Sequence, residues 1–193
     1  MNREDWLTSA AELIYSDIIE PYAPRPAWAF KISVGFPAGT RSSRVLASCW
    51  KKEASAADVC EIFVTPTVAD SLEVLASLVH ELIHYSDNCE SGHRNHFARV
   101  ARAVGLEGKF TATRAGTALK AQLQDYIDIL GDMPHSALSP ESSGRAKQKT
   151  KMLKLECLCC GWTCRTSALQ IAALNPAGAV CPACTAPALL QIK

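Results

Sequence analysis

Residues 80 to 84 of the chain read His-Glu-Leu-Ile-His. On a helix, two histidines four positions apart project from one face, about one turn apart, so both imidazoles can reach a single ion. Zinc takes protein nitrogen at about 2.0–2.1 Å and wants roughly tetrahedral ligands. Glu81 would then stand beside the ion, close enough to take a proton from a metal-polarised water as that water attacks a carbonyl, and to pass it to the leaving amine. The surrounding residues Val74, Leu75, Leu78, Val79 and Leu82 form a broad apolar surface. Polar groups embedded in such a helix need compensation, and a metal supplies it.

A third protein ligand must follow. A Gly at the third place after His84 and a His at the sixth would mark the metzincin arrangement, but Asp87 and Glu90 stand there. The segment Ser91-Gly92-His93-Arg94-Asn95-His96-Phe97 offers two imidazoles instead. Gly92 permits a turn that brings His93 back towards the helix, and His93 and His96 share a face if both are helical. Either could close the site, with the other left at its rim, where His96 could donate to a developing oxyanion or simply be a polar surface residue.

A second constellation lies near the C-terminus. Six of the nine cysteines fall in the last 37 residues, and Cys157-x-x-Cys160 and Cys181-x-x-Cys184 are separated by 20 residues. Two short knuckles at that spacing bring four sulfurs around one zinc at about 2.3 Å, as in a zinc ribbon. Such a closed site is structural, because it leaves no position for water. Gly161 allows the tight backbone of a knuckle. Cys159 sits too close to Cys157 to match the other pair, Cys164 reads as packing, and Cys49, Cys60 and Cys89 read as small buried hydrophobes.

The elements that must position these residues follow from periodicity. Asp5 to Glu20 carries one apolar stripe and meets Pro21, Pro24 and Pro26. Trp28 to Val34 alternates as a strand, Gly35 to Arg44 reads as a loop, and Val45–Trp50 and Val59–Val64 are further strand candidates of a small antiparallel or mixed sheet. The last of these precedes the His80 helix, as expected of an edge strand bordering a substrate cleft. Asp70 to Tyr85, His93 or Asn95 to Val104, and Ala115 to Leu130 read as helices, with Asp70 or Ser71 a cap for the first and Gly105 a stop for the second. Residues 136–151, rich in Ser, Pro, Gly and Lys, read as a flexible basic linker between a body at 1–135 and a mini-domain at 152–193. A module of that size needs a metal staple.

Hydrophobic residues make up 48% of the chain and charged residues 20%, ordinary for a globular protein, and no apolar run reaches the length of a membrane span. The charged start, Met1 to Trp6, is unlike a secretory signal, so a cytoplasmic setting and metal-bound rather than disulfide-bonded cysteines are expected. The net charge of +1 conceals an asymmetry: 13 Lys/Arg against 17 Asp/Glu through His135, and 7 against 2 from Ser136 onward. Arg145, Lys147, Lys149, Lys151 and Lys154, with Arg165 and Trp162, could contact phosphate and stack on an unpaired base. His135, in the Pro-containing edge of the linker, suggests no chemistry of its own.

The pattern His-Glu-x-x-His, a short loop, then Gly-His-x-x-x-Phe resembles the SprT-like metalloproteases, which include the Spartan proteases of DNA–protein crosslink repair. The likeness runs from Phe36-Pro37 and Cys49-Trp50, through Glu61-Ile62-Phe63, to Gly105-Leu106-Glu107-Gly108-Lys109. It is nearest to the compact bacterial and phage-type members, which often end in a zinc ribbon. The resemblance implies that the third ligand is His93, directly after Gly92. The chain departs from the family at Arg94 and His96, where a second Gly and an acidic residue are usual. The expectation is therefore an α+β, zincin-like catalytic domain with a small sheet and an active-site helix, followed by the ribbon. It would hold one catalytic zinc on His80, His84 and His93 with Glu81 as general base, and one structural zinc on Cys157, Cys160, Cys181 and Cys184. Its substrate would be a protein, and by resemblance one bound to DNA. The alternatives are a catalytically silent nucleic-acid-binding regulator and a hydrolase of a non-peptide amide.

Overall fold

A computed structural model of the chain describes residues 1–37, 45–140, 152–173, 180–185 and 190–192. The chain divides into two compact units, Met1–Ser143 and Gly144–Lys193. Among the described residues the architecture is mixed α+β, with small sheets and five α-helices. No helix among them is long and apolar enough to cross a membrane. Of the expected linker, residues 141–151 lie outside the described residues, as do 38–44 of the expected Gly35–Arg44 loop.

In the first unit, α1 spans Arg3–Ile14 and begins two residues earlier than periodicity suggested, because the Asn2 side chain accepts the Asp5 amide at 2.8 Å and caps it. The helix then widens into a π turn, Tyr15–Ile19, where the sequence reads as one unbroken helix to Glu20. Its apolar stripe is buried except at Leu13, which is partly so, and the Trp6 indole donates to the Gly131 carbonyl at 2.9 Å.

Three strands follow: β1 (Phe30–Val34), β2 (Ala47–Trp50) and β3 (Cys60–Val64). Their order is β1-β3-β2, with β1 parallel and β2 antiparallel to β3. The strand ending at Val64 is thus central rather than at an edge; β2 occupies the edge. Burial explains this: Cys60, Ile62 and Val64 are all within 1% of complete burial, which only a central strand achieves here.

Next comes α2, Ser71–Ser86, capped by Asp70, whose side chain accepts the Glu73 amide at 2.7 Å. It runs through the middle of the unit, packed against β2, β3, α1 and α4 (Thr117–Leu130). Between α2 and α4 lie α3 (Asn95–Ala103) and a hairpin of β4 (Leu106–Lys109) and β5 (Ala112–Ala115). The hairpin has weak strand composition, and the sequence gives little sign of it. Gly116 joins it to α4 at a position where a Cβ would come within 2.6 Å of Glu107 Oε1 and 2.9 Å of the Gly105 carbonyl, so only glycine fits without displacement.

The second unit holds β6 (Met152–Cys157), β7 (Thr163–Ser167), α5 (Ala168–Ala172) and β8 (Leu190–Ile192), with all pairings antiparallel in the order β7-β6-β8. Ser167 and Gln170 form a capping box at the start of α5. Among the described residues only Leu155, Cys157 and Cys181 are buried here, very little apolar core for an independent unit.

Candidate metal centres

His80 and His84 stand on successive turns of α2 with ring centroids 5.1 Å apart. The chain then has to reverse within a few residues to bring back a third imidazole. It does so through left-handed backbone at Asn88 (φ 54°), Cys89 (φ 61°) and Gly92 (φ 51°). Asn88 is pinned in this conformation: its Oδ1 accepts the Lys52 amide at 2.9 Å and its Nδ2 donates to the Glu53 carboxylate at 2.9 and 3.0 Å. The amide of Ser91 is held by Asp87 Oδ2 at 3.1 Å. His93 is thereby delivered to the pair, with its Nε2 3.2 Å from His80 Nε2 and 3.3 Å from His84 Nε2.

Those separations test whether the site suits zinc. Tetrahedral ligands about 2.05 Å from an ion stand about 3.3 Å from one another, and the two measured edges match. Burial and their mutual proximity hold His80 down to about 3, and burial followed by His93 holds His84 at about 4; burial also lowers His93. The shifts favour neutral rings, whose lone pairs a cation between them could accept. Phe97, fully buried on α3, forms the floor: its ring stacks on His84 at 4.4 Å and lies 4.7 and 5.1 Å from His80 and His93. His80 Nδ1 meets Thr113 Oγ1 of β5 at 2.7 Å; with a metal on Nε2, Nδ1 would carry the proton and the hydroxyl oxygen would accept it.

Glu81 is 6% exposed and opens onto the same cavity of about 530 Å³. Burial pushes its carboxyl up to about 8, opposed by the Cys49 backbone N–H, which donates to it. A dication at the three imidazoles would draw that value back down. One wall of the cavity is β2 from Ala47 to Cys49; the opposite wall is Thr111 to Thr113. His96 is not part of this wall: its Nε2 pairs with Ser86 Oγ at 2.8 Å and its Nδ1 with Arg99 at 3.3 Å. His135 braces the fold through Nε2 on the Pro66 carbonyl at 2.9 Å.

In the second unit, Cys157 Sγ lies 3.8 Å from Cys184 Sγ, and Cys160 Sγ lies 3.7 Å from Cys181 Sγ. Four sulfurs at about 2.3 Å from zinc would be about 3.8 Å apart. The knuckles are built alike. The Gly161 amide donates to the Cys157 carbonyl and the Thr185 amide to the Cys181 carbonyl, both at 2.9 Å, with Gly161 at φ 74° and Thr185 at φ 54°. The Cys160 and Cys159 amides draw the Cys157 thiol down to about 7, towards the thiolate a metal needs. Cys159 is exposed and Cys164 half-buried, and neither joins the cluster.

Both groups could therefore hold a metal ion, and their donor chemistry and spacing suit zinc. The sequence singled out the seven residues that form these two groups; it did not reveal Thr113, the Phe97 floor or the Cys49 amide on Glu81, which depend on the hairpin, on α3 and on which strand forms the edge. No protein-family model, curated protein or solved structure matches this chain.

Proposed function

We propose that the chain is a zinc metallopeptidase of zincin type, akin to the SprT-like proteases it resembles, with Glu81 as general base. One arrangement carries the reading: three neutral imidazoles with Nε2 atoms 3.2–3.3 Å apart, beside a buried carboxylate, in an open cleft. His80, His84 and His93 would hold the zinc, which would supply Lewis acidity towards a water and a substrate carbonyl. The chain does the rest. Glu81, held by the Cys49 amide, accepts the water proton at its carboxylate and returns it to the leaving amine.

The substrate is a polypeptide because the cleft is walled by an open strand edge. The Leu46 carbonyl accepts from the Thr65 amide of the sheet at 2.8 Å, while the Cys49 amide points away to Glu81. By the alternation of an antiparallel ladder, the Ala47 N–H and C=O also point away from β3, into the cleft, where an extended peptide can pair with them. The deciding experiment replaces Glu81 with Gln. Zinc content measured by metal analysis is retained while hydrolysis of a protein substrate disappears; retained hydrolysis would refute the assignment.

A second reading concerns the ribbon unit. Lys154 and Arg165 are direct cross-strand partners, a like-charge pairing that costs stability unless an anion lies near. Lys154 is partly met by Glu156 at 3.2 Å. With half-buried Trp162 at the knuckle end of the same hairpin, its carbonyl accepting the Cys157 amide, this supports DNA as the ribbon's ligand and a DNA-bound protein as the substrate.

A further inference from the structure

The cleft wall carries a feature that zinc hydrolysis does not use. Cys49 on β2 and Cys89, in the reversal after α2, both line the cavity beside Glu81 and His84. Cys89 sits at φ 61°, directly after Asn88 at φ 54°, and a side-chain-bearing residue there costs conformational energy that the surroundings must offset. That conformation turns the Cys89 thiol inward, where it donates to the Cys49 carbonyl at 3.6 Å. The Cys49 thiol lies on the same edge strand, 3.9 Å from the Trp50 carbonyl. Cys60 is fully buried, with its thiol directed at Asn88 Oδ1 at 3.6 Å, so a solute entering the cavity meets Cys49 and Cys89 but not Cys60.

We propose that Cys49 and Cys89 are a reversible disulfide site in the cleft wall, formed by hydrogen peroxide and restraining the strand that holds Glu81. The Cys89 sulfur attacks one peroxide oxygen, giving a sulfenic acid and releasing the first water. The Cys49 sulfur then attacks the sulfenic sulfur, the S–S bond forms and the second water leaves. Two thiols are oxidised, one peroxide is reduced, and both thiol protons end in water. The new bond removes the S–H donor on the Cys49 carbonyl and ties β2 to the loop that carries His93. The two cleft elements that flank a substrate can then no longer separate, and the amide that orients Glu81 is displaced. A disulfide of this kind, formed on exposure rather than built in, is regulatory in a reducing compartment.

The link itself is independent of the peptidase reading; its effect on hydrolysis rests on that reading. The zinc-loaded chain, both units included, is treated with hydrogen peroxide, alkylated, and digested with trypsin and a glutamate-specific protease, which separate Cys49, Cys60 and Cys89. The expected result is a Cys49–Cys89 cross-linked peptide lighter by two hydrogens, with most casein hydrolysis lost and both changes reversed by dithiothreitol. The Cys89→Ser chain should show neither the link nor peroxide sensitivity. Peroxide consumed at Cys159 or Cys60 while Cys49 and Cys89 stay alkylatable would overturn the site. A complete link with hydrolysis unchanged would overturn its control of the cleft. A chain that hydrolyses nothing before treatment would count against the peptidase reading alone, since the mass of the linked peptide still decides the site.

Discussion

Thr113 is the residue on which the geometry of His80 turns. His80 can face a metal through Nε2 only if Nδ1 carries the proton, and that N–H has one partner at 2.7 Å, the Thr113 hydroxyl oxygen. Replacing Thr113 with Val preserves shape but leaves a buried N–H unpaired and the tautomer unfixed. Zinc affinity at the three-histidine site should fall by about 10–100-fold, the usual cost of losing such a partner. Thr113→Ser should recover most of it, because the hydroxyl returns. Competition with a chromophoric chelator measures this, and unchanged affinity in the Val chain would refute the role. The contrast with the ligands shows what a sequence can carry at this scale. His80, Glu81 and His84 are legible because helical spacing alone makes them neighbours. His93 could be separated from His96 only by the path of the loop, and that path depends on left-handed residues at 88 and 89 that no local rule demands of Asn-Cys. Thr113 lies 33 positions from His80 and meets it only through hairpin register, which was invisible from composition.

At the scale of elements, the helices and the three strands around the site were readable from period and punctuation, with ends displaced by a few residues. Which strand lies at the edge was not, because alternation reports a buried face and not a neighbour. That distinction has consequences for β2. Its inward-bonding residues hold the sheet, whereas the Ala47 N–H faces the cleft. Proline at an edge position loses only the outward donor, so Ala47→Pro should fold and keep its zinc. Losing one backbone hydrogen bond of ~1 kcal/mol lowers kcat/KM for a protein substrate by about fivefold, mostly through KM. A kcat/KM equal to the parent's would show that substrate does not add to this edge. A different junction, between the π turn and α4, sets a pH limit. The Tyr126 hydroxyl donates to Asp17 Oδ2 at 3.1 Å, and burial, then Asp17, push its pKa up to about 12. Because the fold binds that proton more tightly than the unfolded chain, whose tyrosine titrates near 10, the contribution is full below about pH 10 and is lost as pH rises through about 12. Denaturant midpoints for the parent should fall across that window, and Tyr126→Phe should flatten the decline. An equal decline in the Phe chain would assign the loss to other groups.

For the whole molecule, the two metal groups stand in units of very different self-sufficiency. The first unit has a continuous core running from Trp6 to Met133, in which Phe97, Leu78 and Leu82 are fully buried, so its metal site is set into structure that exists without metal. The second unit buries only Leu155, Cys157 and Cys181 among its described residues, and two of those three belong to the four-cysteine group. With an ion on the four cysteines, the folding free energy of this unit would come largely from that ion. Metal analysis should therefore give two zinc ions per parent chain and one each in His93→Ala and Cys181→Ser, but the two variants should differ in their consequences. His93→Ala should leave amide hydrogen exchange slow throughout both units. Cys181→Ser should raise exchange in β6 and β7 to near the unfolded rate while α2 and β3 stay protected. If the Cys181→Ser chain instead kept its β6–β7 protection, the four-cysteine cluster would not be what folds that unit. If it lost protection in α2 as well, the two units would be one cooperative body rather than a stable core and a metal-dependent appendage.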